Sequence, residues 1–266
     1  MRIHTLFLGA VVSLGLMSSP ALAGVELSSI SQPWAQQALD SAAQLEATQP
    51  ALAASIRTGD SRPSRNGQPL FIDPTWRTPE AAGAILVRLA EGGDNADHRI
   101  ALLGALSHTG GDWADGVLGL YSHETDPSVR RMMIDIMADA PIEAARVGVK
   151  VGFDDRSPAV RAAAMRVVGT HREGNTIGEL ALSGLSDDSP VVREEAARSI
   201  GYAGYAKGFE AMRSLLQDAD ASVRFRALRS LEKLDMTRLQ QLPELSSLAV
   251  DPNIKVAREA QKVQAK

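Results

Sequence analysis

The residues of this chain that could do chemistry are few and scattered. No cysteine occurs among the 266 residues, which excludes disulfides, thiolate metal sites and a cysteine nucleophile. The sequence also has no glycine-rich phosphate loop and no G-x-S-x-G nucleophile elbow. After the first 23 residues the histidines are His98, His108, His123 and His171. Only His123 is followed by a carboxylate, Glu124, and one such pair is short of a usual metal site. We therefore expect no cofactor and no metal.

Carboxylates and arginines recur in this sequence at a fixed separation. An acidic residue stands six positions before an arginine four times, as Glu124 and Arg130, Asp155 and Arg161, Asp187 and Arg193, and Asp218 and Arg224. A carboxylate array for metal binding or acid–base chemistry is one interpretation. A structural role is the other, because Asp and Ser in such turns cap helix N-termini. A pattern that returns so regularly favours the structural role.

The basic positions reveal an internal repeat. They are residues 99, 130, 161, 193, 224 and 255, which are separated by 31, 31, 32, 31 and 31 residues. The last copy is Ile254-Lys255 and the first is His98-Arg99. Apolar residues follow each copy at the spacing of an amphipathic helix. Gly169 and Gly201 lie where two of these helices are expected to stop.

A second helical stretch is predicted in each repeat, for example at 177–185 and 209–216. Each unit is therefore helix, short turn, helix and acidic turn, and no unit is large enough to bury its own apolar face. Stacked units share one continuous core, so the sequence predicts an all-α solenoid. Alternating strand patterns are not found in the sequence.

The copies Ser157-Pro158-Ala159-Val160-Arg161 and Ser189-Pro190-Val191-Val192-Arg193 resemble HEAT repeats, of the short kind found in phycobilisome-lyase-type proteins. The resemblance covers about residues 94–266. It implies a right-handed α-solenoid, a ladder of acids and arginines that ties neighbouring repeats together, and a concave side lined by the second helices. HEAT-repeat enzymes similar to deoxyhypusine hydroxylase carry several His-Glu pairs for two irons, whereas this chain has one.

The first residues have the pattern of an export signal. Arg2 is followed by an apolar run over 6–17 and by Ala21-Leu22-Ala23, a small-x-small cleavage site. The run is too short to span a bilayer, and no cysteine follows Ala23 to carry a lipid. We expect a bacterial protein, periplasmic or secreted, that begins at Gly24 after cleavage and has no membrane anchor.

Three segments are predicted: a signal peptide at 1–23, a helical extension with a polar loop at 24–68, and the repeat solenoid at 69–266. The extension is helical over 32–57, with a break at Pro50, and the polar loop is 59–67. The extension either caps the first repeat or serves as a partner-binding arm. A helix over 77–91 opens the solenoid, and a terminal helix with Val256, Ala260 and Val263 on one stripe closes it.

Composition limits the function. The chain is 44% hydrophobic and 23% charged with a formal net charge of −4, which disfavours a nucleic-acid binder. Charge and export together disfavour a HEAT-like DNA glycosylase, and export disfavours a bilin lyase. We expect a non-enzymatic exported scaffold that binds a protein or peptide on the concave face. The alternative is an enzyme of unrecognised type, a relative of HEAT-like lyases or oxygenases, with active residues on that face.

The second helices suggest where a partner docks. Polar residues recur on one line of these helices, at Glu179 and Ser183 and again at Glu210 and Ser214. One and two repeats earlier the same line holds Val147, Val151 and Asp154, and then Leu120 and His123. Because an exposed apolar patch usually marks an interaction site, we expect Leu120, Val147 and Val151 to form the docking surface, with His123 and Asp154 at its rim. Alternatively, the helix register slips by a residue, or the 32–57 helix covers the patch.

Overall fold

The computed structural model describes residues 24–58 and 77–266, so the predicted signal peptide and the polar loop at 59–67 lie outside the described residues. Within these two ranges all regular structure is helical, as predicted. The α-helices are α1 (Pro33–Thr48), α2 (Pro50–Thr58), α3 (Pro79–Glu91), α4 (Ala96–Leu106), α5 (Ala114–Tyr121), α6 (Pro127–Asp135), α7 (Ile142–Phe153), α8 (Pro158–Thr170), α9 (Pro190–Ala203), α10 (Phe209–Arg213), α11 (Ala221–Leu234), α12 (Met236–Gln240), α13 (Glu244–Leu248) and α14 (Ile254–Ala265). Short 3-10 helices link or replace some of them, at Leu27–Ser29, Ile136–Asp139, Gly174–Ala181, Ser183–Ser186, Ala206–Gly208 and Ser214–Gln217.

One layer of the solenoid is built from α4, α6, α8, α9, α11 and α14, which we call the ladder helices. Each begins after an extended Asn, Asp or Ser residue, and proline occupies the first helical position of α6, α8 and α9. Asp126, for example, accepts hydrogen bonds from the backbone N–H groups of Ser128 and Val129. The Asn and Asp caps of α4, α6, α11 and α14 satisfy free N–H groups with their side chains. The serines before α8 and α9 make no such bond, and there the proline at the first helical position, which has no N–H to donate, favours the helix start.

Small residues bring the ladder helices close together. A side chain added at Gly169 of α8 would place its Cβ 2.8 Å from the Cα of Ser199 in α9, and one at Gly201 would lie 2.8 Å from the Cβ of Ser230 in α11. Both glycines lie inside their helices, so the prediction that they act as helix stops is wrong. The stop after α9 is instead Gly204, whose φ of 65° is left-handed.

The other layer contains α5, α7, the 3-10 helices at 174–186, and α10, α12 and α13. The sequence predicts regular helix at 177–185, but this stretch is 3-10 helix, and 209–216 is half 3-10. Glycines explain part of the difference: a Cβ at Gly178 would lie 2.3 Å from the ring of Tyr205, and one at Gly184 would lie 2.5 Å from the sulfur of Met165.

The two layers differ in how extensively their members pack along the stack. Successive ladder helices pack against one another, whereas successive second helices, several of which are short, touch one another sparsely. The expectation that second helices line the concave side stays a prediction.

The N-terminal extension packs onto the start of the solenoid. Helices α1 and α2 are separated at Gln49, as Pro50 predicted, and both pack on α3. A Cβ at Gly83 of α3 would lie 2.4 Å from the Cβ of Ser41 in α1. At the far end, Val256, Ala260 and Val263 of α14 are fully buried, which confirms the stripe predicted for the terminal helix.

The last repeat is out of register with the sequence pattern. Val129, Val160, Val192 and Val223 precede the repeated arginines and are buried, but Ile254 is 62% exposed. Asn253 caps α14 as Asp220 caps α11, and four residues after these caps stand Ala257 and Arg224. The equivalent of the Val-Arg pair is thus Val256-Ala257, two residues after the Ile254-Lys255 copy assigned from the sequence.

Candidate functional site

The repeated arginines form a continuous ladder of ion pairs. Each arginine binds the turn acid of the following repeat, so the acid six residues upstream is not its ion-pair partner. The rungs are Arg99–Glu124 at 2.9 Å, Arg130–Asp155 at 2.7 Å, Arg161–Asp187 at 2.8 Å, Arg193–Asp218 at 2.7 Å and Arg224–Asp251 at 2.8 Å. The ladder implied by the resemblance is thereby confirmed.

Each rung also holds its own turn. The guanidinium of Arg193 donates Nε and Nη2 to the two carboxylate oxygens of Asp218, and its Nη1 donates to the backbone carbonyls of Asp187 and Asp188 at 2.8 and 3.1 Å. The carboxylate of Asp218 in turn accepts the backbone N–H of Asp220 at 2.8 Å. Each ladder arginine therefore connects the turn before its own helix to the turn before the next ladder helix. The planar guanidinium, whose N–H donors have fixed directions, suits this role.

The electrostatics keep these carboxylates ionised. Burial alone would raise the pKa of Asp155, but hydrogen bonds from Arg130, Tyr121 and the backbone N–H of Ser157 lower it to about 2. The Tyr121 hydroxyl, 2.5 Å from Asp155, has its pKa raised by burial and by this carboxylate. An acid held charged and fully hydrogen-bonded is poorly suited to general acid–base work near neutral pH. The structural interpretation of the acid–arginine pattern is the one this geometry supports.

The predicted His123-Glu124 pair is divided by the fold. His123 is exposed, whereas Glu124 is buried and bound to Arg99. His171 is buried, with Nε2 3.0 Å from the carbonyl of Ala140 and Nδ1 accepting the backbone N–H of Glu173. Residues 24–58 and 77–266 contain no cluster of three His, Cys, Asp or Glu side chains able to hold a metal ion.

The predicted docking patch is only partly at the surface. Leu120 is 4% exposed and packs inside the solenoid among Leu89, Leu103 and Met133, so its place in a surface patch is corrected. The helix register does not slip, because Ala114, Val117 and Tyr121 of α5 and their counterparts Ala145, Gly148 and Gly152 of α7 are all buried. Val147 is 48% exposed, Val151 is half-buried, and His123 and Asp154 are exposed.

Val147 and Val151 line a cleft with residues that the sequence assigned to the N-terminal extension. The cleft has a volume of about 480 Å³ and is bounded by Trp34 of α1, Leu118 of α5 and the two valines of α7. The Trp34 ring lies over Gly119, where a Cβ would come within 2.4 Å of it. The extension therefore forms one wall of the cleft and leaves Val147 uncovered. Sequence reasoning placed Trp34 on an apolar helix face, but nothing in its pattern names Gly119 as the contact.

The predicted polar stripe is exposed, and its groups are already bonded within the chain. Glu179 pairs with Arg146 at 2.7 Å, and Glu210 pairs with Arg238. The hydroxyls of Ser183 and Ser214 donate to backbone carbonyls three residues earlier, at 2.9 and 3.2 Å. The structure thus places these four side chains along the second layer, well beyond the Val147 cleft in sequence.

Comparison with known proteins supports the repeat architecture. Residues 178–263 match the family of HEAT repeats. An engineered protein of known crystal structure is 18% identical, over 81% of this chain and 95% of its own, with a TM-score of 0.46. A designed armadillo repeat protein is 16% identical, over 80% of this chain and 98% of its own, with a TM-score of 0.42. No curated protein matches the chain in sequence. Residues 178–263 of the α-solenoid are thus similar to HEAT repeats, and a repeat solenoid is a fold typical of protein-interaction scaffolds.

Proposed function

We propose that this protein is a non-enzymatic scaffold that binds a protein or peptide partner at the cleft lined by Trp34, Leu118, Val147 and Val151. The observation that carries the proposal is the exposed side chain of Val147 in a cleft that is lined mainly by apolar residues. Soluble proteins leave few such clefts uncovered, and those they leave open often receive an apolar side chain of a partner.

The polar groups at the cleft suggest the form of the partner. Asp115 and Gln32 belong to the cleft lining, and Asp154 and His123 are exposed in the same layer. An apolar anchor residue flanked by amide or basic groups would fill the cleft and meet this rim. We assign Glu179, Ser183, Glu210 and Ser214 to a peripheral role, because each would have to exchange an internal bond for one to the partner.

Non-enzymatic action is favoured by the state of the acids. The repeated carboxylates, which are the most numerous reactive groups of the solenoid, are engaged in the ladder with lowered pKa values at Asp155, Asp187, Asp218 and Asp251. A substrate would therefore have to be positioned by surface side chains of the second layer, and these side chains already form ion pairs or hydrogen bonds within the chain.

Export is the second part of the proposal. The residues at 1–23 have the charge, the short apolar run and the Ala-x-Ala end of a cleaved signal peptide. Among the described residues no helix is long and apolar enough to cross a membrane. We propose that the mature chain works in the periplasm or outside the cell and meets its partner there.

The test uses Val147→Asp, Val151→Asp and a matched control. Val147→Asp should leave the melting temperature near that of the native chain, because the side chain is half in water, and should abolish capture of the partner from an envelope extract. Val151→Asp should behave alike with a modest loss of stability. Val191→Asp is the control, since Val191 is 59% exposed and lies away from the cleft.

Each outcome shows whether the cleft is a docking site for a partner. Loss of one specific bound protein with Val147→Asp, retained with Val191→Asp, supports the docking site. A folded Val147→Asp variant that still captures this protein contradicts it. If Val147→Asp unfolds the chain, the residue belongs to the core and the cleft is not a docking surface.

A further inference from the structure

A second cleft lies on the other layer, between ladder helices α9 and α11 and the end of α14. Its volume is about 560 Å³. Tyr202 stands on one wall and Lys233 on the other, and Lys266 closes the end. The cleft shares no lining residue with the one at Val147, so the inference below does not depend on the proposed function.

The floor of this cleft is made by the closest approach of the two helices. Gly201 of α9 faces Ser230 of α11, and a Cβ on the glycine would lie 2.8 Å from the serine Oγ. Because neither residue has a long side chain, the larger side chains beside them enclose an open trough. The trough runs between neighbouring repeats, and stacked repeats present extended surfaces along which a peptide can bind.

Tyr202 is unusual among the aromatic residues of the described ranges. Its side chain is 61% exposed, whereas Trp34, Trp113, Tyr121 and Phe209 are each buried. The ring is held in place by cations: the Lys233 ammonium lies 4.2 Å from its centroid and the Arg198 guanidinium 5.8 Å from it. A tyrosine fixed in this way presents a preorganised surface on which a peptide can pack at little entropic cost.

The cleft lining contains more cations than acids. It has five cationic side chains and one acidic one, Arg198, Arg226, Arg229, Lys233 and Lys266 against Glu232, in a chain whose net charge is −4. Four of these cations pair with glutamates, namely Arg198 with Glu195, Arg226 with Glu194, Arg229 with Glu259 and Lys266 with Glu232. Glu259 and Glu232 are only 7% and 14% exposed and keep their partners, but the Arg229 and Lys266 side chains are 51% and 58% exposed, so a ligand can still reach their outward-facing N–H groups.

We propose that this cleft binds an acidic, extended segment of a partner protein. Carboxylates of the segment bind the exposed N–H groups of Lys233, Arg229 and Lys266 beside the existing ion pairs, and a side chain or peptide plane of the segment packs on Tyr202. The flanking glutamates disfavour a nucleic acid, whose unbroken row of phosphates would meet Glu194 and Glu259 as well as the cations. A peptide can place its acids only where the cations are.

The experiment measures binding of a fluorescein-labelled, glutamate-rich dodecapeptide to the purified mature chain by fluorescence anisotropy at low ionic strength. The same peptide with glutamine at every glutamate position and a single-stranded oligonucleotide of similar length are the comparison probes. Lys233→Gln and Tyr202→Ala should each weaken binding of the acidic peptide about tenfold, and Tyr202→Phe should bind like the native chain. Arg172→Gln is the matched control, because that arginine is 80% exposed and outside the cleft.

The proposal is supported if the native chain binds the acidic peptide, binds the glutamine peptide at least about tenfold more weakly, and loses affinity with both cleft substitutions but not with Arg172→Gln. It is overturned if the acidic peptide does not bind. It is overturned equally if the oligonucleotide binds more tightly than the peptide, or if Arg172→Gln weakens binding as much as Lys233→Gln. Tyr202 and Lys233 are both exposed, so circular dichroism should show all variants folded; a variant that unfolds would contradict their placement on an open cleft.

Discussion

Removing one arginine from the ladder tests whether the ladder holds the repeats together. Arg193 lies in the middle of the series, and its side chain is 17% exposed while that of Asp218 is 7% exposed. The change Arg193→Ala deletes two hydrogen bonds to Asp218 and two to backbone carbonyls of the preceding turn. The carboxylate of Asp218 would then keep only the backbone N–H of Asp220.

The expected loss follows from that geometry. Breaking a fully buried ion pair by removing one partner costs about 3–5 kcal/mol, since the other charge is left without compensation. Arg193 is not fully buried, so water can reach part of the space it leaves, and we expect about 3 kcal/mol. For a chain of this size that corresponds to a fall in melting temperature of roughly 6–12 °C.

The assay is thermal and urea unfolding followed by circular dichroism, with four further variants: Arg172→Ala, Arg193→Lys, Asp218→Asn and the double variant of Arg193→Ala and Asp218→Asn. Arg172→Ala should shift the melting temperature by no more than about 1 °C, because its pair with Glu173 is exposed. Arg193→Lys should recover part of the loss, since lysine keeps the charge but not the two-pronged contact. Asp218→Asn with Arg193→Ala completes a double-mutant cycle, in which we expect a coupling energy of at least about 1 kcal/mol.

Two results would refute this reasoning. If Arg193→Ala melts within about 2 °C of the native chain, the rungs do not contribute to stability. If the cycle shows no coupling while both single variants are destabilised, the residues act separately and the ion pair is incidental.

Three other predictions follow from the same structure. The pKa of Asp155 is lowered to about 2 from 3.8, so its contribution to stability is complete above about pH 4 and is lost as the pH falls toward 2; melting temperatures over that window should show the loss, and Asp155→Asn should flatten it. Val256→Asp should destabilise the terminal helix by about 3 kcal/mol, whereas Ile254→Asp should change stability by less than about 0.5 kcal/mol in a urea titration, the reverse of what the sequence register indicates. The exported protein should have the intact mass of a chain cut after Ala23, and a membrane-bound form that retains the leader would contradict the signal peptide.

The repeat architecture was accessible from the sequence because it rests on local rules. Capping residues, prolines at the first helical position and the spacing of buried apolar residues act within a few residues of one another. The sequence also predicted a ladder of acids and arginines, but the six-residue spacing did not identify which acid pairs with which arginine. Asp187 is close to Arg193 in the chain, yet its carboxylate binds Arg161 of the preceding repeat. That choice depends on how neighbouring repeats stack.

The candidate sites were harder to predict because they depend on non-local packing. Gly201 has the sequence of a helix stop, and only the approach of α11 shows that it is the floor of a cleft. Leu120 falls on the same repeat line as Val151, yet it is buried because Leu89, Leu103 and Met133 of three other helices pack around it. The burial of such residues depends on the angle between two helices, and no periodic pattern in the sequence indicates that angle.

The first and last copies of the repeat lack one ladder group each. The position that holds the acid in the other repeats, two residues before the helix cap, is Gly93 in the first copy, and the position of the arginine in the last copy is Ala257. Five arginines therefore meet five acids, and the neighbouring Asp94 pairs instead with Arg88 of α3 at 2.6 Å. A second copy docked end to end could not continue the rungs through Gly93 and Ala257. Gly93→Asp together with Ala257→Arg would restore both groups. If the blunt ends are what keeps the stacks apart, this variant should associate end to end in a concentration-dependent way in analytical ultracentrifugation, and an unchanged sedimentation coefficient would show that other surfaces of the ends prevent it.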